Sequence, residues 1–130
     1  MKLPVLLLLA FAAPALADSC DKANTQTDMT ICYGKLAKTS DDALNQAYRA
    51  LVARWKSDTK AVALLRASER AWIAYRDSEC ARVGYATTGG SVQPMIIAQC
   101  RKDLTDERLK RLKASLTCQE GDLTCFRPGP

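Results

Sequence analysis

Three groups of residues in this chain have types and spacings that could do chemistry. Six cysteines (Cys20, Cys32, Cys80, Cys100, Cys118 and Cys125) can pair as disulfides or ligate a metal. Glu69 and Arg76 share a helical stripe with Val62, Leu65, Trp72, Ile73, Cys80 and Val83, where a plain amphipathic helix would carry leucine. Residues 85–93 hold Tyr85, Thr87, Thr88, Gly89, Gly90 and Ser91, a cluster of hydroxyls around a glycine pair.

What is missing narrows that chemistry sharply. There is no histidine, so the commonest general base, metal ligand and nucleophile activator are all absent. No cysteine pair has zinc-site spacing, and no glycine-rich loop opens a helix to cradle phosphate. The 14 acidic residues form no hydrolase pattern. The sequence therefore predicts a binding protein and not an enzyme, with no catalytic residue, no metal site and no cofactor.

The cysteines point to disulfides because of how the chain begins. Lys2, the apolar run of residues 5–11 and Ala15-Leu16-Ala17 have the order of a secretory signal peptide, cleaved after Ala17. The apolar run is shorter than the ~20 residues a membrane span needs. All six cysteines follow the cleavage point, and an even count in an exported chain reads as three bridges. The expected location is periplasmic or secreted. Without Lys2 the tally is 18 basic against 14 acidic residues, a net charge of +4 spread along the chain. With no basic run and no aromatic platform, nucleic acid is not expected as a partner.

The elements that must position these groups are helices. Thr25 or Thr27 caps a first helix from near Asp28 to about Lys56, with Tyr33, Ala37, Leu44, Tyr48, Leu51 and Trp55 on one stripe. Ser40-Asp41-Asp42 interrupts that stripe, a place for a bend. A second helix follows the turn Ser57-Asp58-Thr59 and runs to about Val83. Pro94 suits the first turn of a third helix, which carries Ile97, Cys100, Leu104, Arg108, Leu112 and Leu116 and ends near Thr117.

Charges on a packing face need partners, since removing one side of a buried pair costs about 3–5 kcal/mol. A hairpin folded near residue 58 supplies them. It sets Trp55 opposite Val62, Leu44 opposite Ile73, Tyr48 opposite Glu69 and Asp41 opposite Arg76. Asp41–Arg76 is then an ion pair and Tyr48–Glu69 a hydrogen bond. A second hairpin centred on Gly90 sets Cys80 opposite Cys100, the most specific bridge. Cys118 with Cys125 closes a local loop, and Cys20 with Cys32 remains as the third pair, unless these four exchange partners. The predicted fold is all-α, an antiparallel three-helix bundle stapled by disulfides. Residues 18–117 form the helical domain and 118–130 a disulfide-closed tail with a frayed end from Phe126.

The ordered pieces resemble a known family of small exported proteins, those related to the lysozyme inhibitor LprI. The pieces are Cys20 and Cys32 flanking Thr25-Gln26-Thr27-Asp28-Met29, then Asp41, Leu44, Asn45 and Tyr48. Next come Ala71-Trp72-Ile73, Tyr75-Arg76-Asp77 and Glu79-Cys80, the Gly89-Gly90-Ser91 loop with Pro94-Met95, and Cys100. Leu104-Thr105, Arg108 and Leu112 close a set that covers about residues 20 to 116. That family often carries Gln where this chain has Glu69, and the Cys118–Cys125 tail lies beyond the shared core. The resemblance implies a helical, disulfide-bonded envelope protein whose partner is a lysozyme or another peptidoglycan hydrolase.

An inhibitor of that kind needs a rigid body and an element that enters a substrate cleft. The loop of residues 85–93 is the candidate, with Tyr85, Thr87, Thr88 and Ser91 offering hydroxyls to catalytic carboxylates and Arg82 at its rim. A basic protein meets a basic lysozyme with long-range repulsion, which mainly slows association; an acidic patch at Asp77 and Glu79 would offset it. The alternative that the charge favours is a binding module for anionic wall polymers or lipopolysaccharide.

Overall fold

Thr25 starts the first helix by accepting the Asp28 backbone N–H on its Oγ1, 3.0 Å away, which satisfies one of the unpaired donors of a helix start. In the computed structural model, which describes residues 20–127, this helix (α1) spans Gln26–Arg54. Asp58 caps the second helix (α2, Thr59–Tyr85) through the Ala61 N–H. The third (α3, Gln93–Leu116) takes Pro94 in its first turn, where the missing N–H costs nothing. The described residues contain no strand, so the chain is all-α as expected. The expected signal peptide, residues 1–17, and the expected loose end at 128–130 lie outside the described residues.

Ser40-Asp41-Asp42 does not break α1. Ser40 is buried and donates to an Asp106 carboxylate oxygen on α3, Asp41 reaches Arg76, and Asp42 pairs with Lys38. Each polar side chain that interrupts the stripe therefore has a partner, and the helix runs through.

α2 lies antiparallel to both neighbours, and α1 runs parallel to α3. Gln26 meets Met95, Ser40 meets Asp106, and Arg54 donates to the Leu116 carbonyl. The backbones of α1 and α3 run close along their lengths, α2 approaches α3 less, and α1 and α2 least of all. Glu69, Trp72 and Arg76 account for this, because long inward side chains hold α2 off its neighbours.

The apolar core is confined to one end. Leu44, Ala47, Leu51, Trp55, Val62, Leu65 and Leu112 are buried together, with Tyr48, Trp72, Leu109 and Leu116 packed against them. Trp55 and Val62 thus share the core. Ile73 does not, being 42% exposed while Leu44 is buried, and Val83 also turns toward solvent. The tail closes this end, for Phe126 meets Trp55 edge-on at 5.0 Å between ring centroids. Arg127 donates to the Cys118 carbonyl. The frayed end expected from Phe126 is corrected accordingly: the tail folds back before it ends.

Three disulfides staple the chain: Cys20–Cys32 ties the lead-in to α1, Cys80–Cys100 joins α2 to α3, and Cys118–Cys125 closes the tail. Beside the second of these, Gly84 is buried, and a Cβ there would fall 2.6 Å from Cγ1 and 2.9 Å from Cδ1 of Ile97. Gly84→Ala should therefore destabilise the fold by about 1–3 kcal/mol through overpacking, despite alanine's better helix propensity. Urea unfolding checks this; a stabilised variant would mean that Ile97 swings aside freely.

Candidate functional site

The end of the bundle opposite the core is built from polar side chains and a disulfide. Arg76 is 9% exposed and donates to Asp41 at 2.7 Å, Thr105 at 3.2 Å and Asp77 at 3.1 Å, while its guanidinium lies 5.0 Å from the Trp72 ring centre. Glu69 is not bonded to Tyr48. Its carboxylate takes two hydrogen bonds from Arg108 of α3, at 3.0 and 2.8 Å, and Arg108 also reaches Ser68 at 2.9 Å. The reason for this correction is geometric: the backbones of α2 and α3 approach more closely than those of α1 and α2, and at Glu69 the facing residue is Arg108 of α3. The sequence did carry a signal, since Arg108 is the one charge on the apolar stripe of α3. Thr105, 1% exposed, carried none.

This layer holds the loop that joins α2 to α3. Cys80–Cys100 fixes its base, with Cys80 fully buried. Above it the backbone is closed by bonds from the N–H groups of Thr87, Thr88, Gly90 and Gln93 to the carbonyls of Gly84, Tyr85, Thr87 and Gly90, respectively. Gly89 sits at φ +80°, the left-handed region where glycine carries no steric penalty. Tyr85, Thr88, Gly89, Gly90 and Ser91 are exposed, and Tyr85 is 77% exposed.

The loop hydroxyls are not equivalent. Thr87 and Thr88 donate theirs to the Gly84 and Tyr85 carbonyls, and the Gln93 amide adds a bond to Gly84. These side chains add second bonds to carbonyls at the end of α2 that already accept backbone N–H groups. Tyr85 and Ser91 are left to face outward. Arg82 is bound through two hydrogen bonds to Glu79, which hold the Glu79 carboxyl below the usual carboxylate range and raise the guanidinium. Asp77 is matched by Arg76 and Arg101. Neither a free basic rim nor a free acidic patch therefore forms at these residues.

Two grooves adjoin this end. One, of about 510 Å³, runs between α1 and α3 past Gly34, Ala37, Asp41, Pro94, Ile97 and Arg101. The other, of about 280 Å³, lies between α2 and α3 on the far side of the polar layer. Among the described residues no group of histidine, cysteine or acidic side chains could hold a metal ion, and no helix is long and apolar enough to cross a membrane.

The molecule is thus a small helical bundle, stapled by disulfides and presenting a hydrogen-bonded loop at one end. The family described as "Lysozyme inhibitor LprI" matches residues 17–112, and the chain belongs to it. The chain is also similar to an uncharacterized protein of Rhizobium meliloti (strain 1021), at 35% identity over 129 residues, covering 88% of this chain and 93% of that protein. No solved structure matches.

Proposed function

We propose that the protein is a periplasmic or secreted inhibitor of a lysozyme, acting by entry of the loop of residues 85–93 into the substrate cleft. Membership of the family supports the activity. What supports the loop is that its tip is exposed while its backbone is fixed by four internal hydrogen bonds and the Cys80–Cys100 anchor. An element already ordered before binding loses little conformational freedom in the complex. Tyr85 and Ser91 supply the outward donors for the enzyme's carboxylates. Thr87, Thr88, Gly89 and Gly90 shape the turn that presents them.

The test is titration of the oxidised mature chain into peptidoglycan hydrolysis by several lysozyme types. Saturable, near-stoichiometric inhibition at both low and physiological salt is expected. Protection that disappears with salt, screened over a Debye length of about 8 Å at physiological strength, would instead indicate binding to anionic wall polymer or lipopolysaccharide. The double change Tyr85→Ala with Ser91→Glu puts a carboxylate where donors are needed and keeps Gly89. It should weaken inhibition by at least about tenfold, equivalent to 1.4 kcal/mol, with an unaltered melting temperature. Undiminished inhibition would remove the loop from the mechanism.

A further inference from the structure

The groove between α2 and α3 holds chemistry that neither the fold nor the inhibitor reading uses. Its walls are Trp72, Tyr75, Leu104, Glu107, Arg108 and Arg111. Trp72 packs against the core, and the guanidiniums of Arg76 and Arg108 lie 5.0 and 5.9 Å from its ring centre. That side chain is explained by the fold. Tyr75 is not, for its ring is 54% exposed and has no place in the core cluster. Glu107 and Arg111 flank it, and among the described residues neither forms an ion pair.

We infer that this groove is a carbohydrate site that takes a neutral pyranose unit of a glycan. A pyranose has an apolar face of C–H groups, which packs on an aromatic ring. Its edge is a row of hydroxyls, each both donor and acceptor. Tyr75 supplies the ring. Glu107 is an acceptor-only carboxylate and Arg111 a planar fork of donors, so together they can hold neighbouring hydroxyls through charge-assisted bonds. The charges balance: Arg108 is neutralised by Glu69, and Glu107 offsets Arg111. A balanced lining selects a neutral polar ligand over an anion. The volume, about 280 Å³, falls just below the range of drug-sized ligand sites, which begins near 300 Å³, and suits a single sugar ring. Tyr75 and Tyr85 are ten residues apart on one helix, about 15 Å at 1.5 Å per residue, so the groove is separate from the loop tip.

The experiment is amide and indole proton–nitrogen NMR of the mature oxidised chain titrated with chitotetraose, with cellotetraose and with an oligogalacturonate. Saturable shifts at the Trp72 indole and at residues 104–111 are expected with one or both neutral sugars. Chitotetraose alone would indicate an N-acetylated wall glycan and cellotetraose alone an unacetylated glucan; either supports the site. Tyr75→Ala and Arg111→Ala, both at exposed positions, should each weaken binding by about tenfold or more, a difference of 1.4 kcal/mol. No saturation by about 10 mM neutral sugar would overturn the proposal. So would shifts confined to residues 85–91, or binding of the oligogalacturonate alone. Because the readout contains no lysozyme, failure here leaves the inhibitor reading untouched, and failure of inhibition leaves this site untouched.

Discussion

Glu69→Ala should lower the melting temperature by about 12 °C or more. The side chains of Glu69 and Arg108 are only 11% and 15% exposed, and among the described residues the carboxylate is the sole counter-charge that Arg108 touches. Truncation leaves a largely buried guanidinium whose remaining side-chain acceptor among the described residues is the Ser68 hydroxyl. Breaking such a pair costs about 3–5 kcal/mol, and each kcal/mol is worth roughly 4 °C or more in a domain of this size. Glu69→Gln keeps an acceptor oxygen for Arg108 and should cost less than half as much. Arg76→Ala should also cost less, because Asp41 and Asp77 are 46% and 41% exposed and can be hydrated once the guanidinium is gone. Calorimetry of the three variants checks the order. A melting temperature for Glu69→Ala within about 2 °C of the parent, under half a kcal/mol, would mean that water reaches Arg108.

The way this pair forms shows what the sequence could and could not reveal. Helical spacing, Thr25, Asp58 and Pro94 are local signals, and they place three helices with ends near those observed. The same periodicity marks Glu69, Arg76 and Arg108 as charges on packing faces. Which charge meets which depends on how closely the helices approach, and that distance is set by side chains from all three at once. Asp41 lies against Arg76, where hairpin spacing alone puts it. Glu69 meets Arg108 of α3 and not Tyr48 of α1, where that spacing would set its partner. The loop has the same limit. Its glycines and hydroxyls announce a turn, but only the folded end of α2 shows that Thr87 and Thr88 donate their hydroxyls to its carbonyls while Tyr85 and Ser91 face outward. The packing of Phe126 on Trp55 was hidden for another reason: a contact between residues so far apart in sequence leaves no periodic trace.

Removing the Cys80–Cys100 bridge should have the largest effect on stability and function together. Replacing both cysteines with alanine frees a segment of 20 residues, and the lost restraint on the unfolded chain is worth about 3 kcal/mol. Cys80 is fully buried, so the smaller side chain also leaves unfilled space between α2 and α3. The bridge lies at the end that lacks the apolar core, where few other contacts compensate. The loop should therefore loosen even at temperatures where the rest of the bundle is folded. Inhibition measured well below the melting temperature should weaken by about tenfold or more, because the loop must then be ordered on binding. The Cys118–Cys125 bridge provides the control. It spans only 7 residues at the opposite end, beside Trp55 and Phe126. Its double alanine variant should melt somewhat lower and inhibit as well as the parent. If the two variants behaved the other way round, the docking end of the molecule would be the apolar end capped by Phe126, and the loop of residues 85–93 would be only the turn that returns the chain.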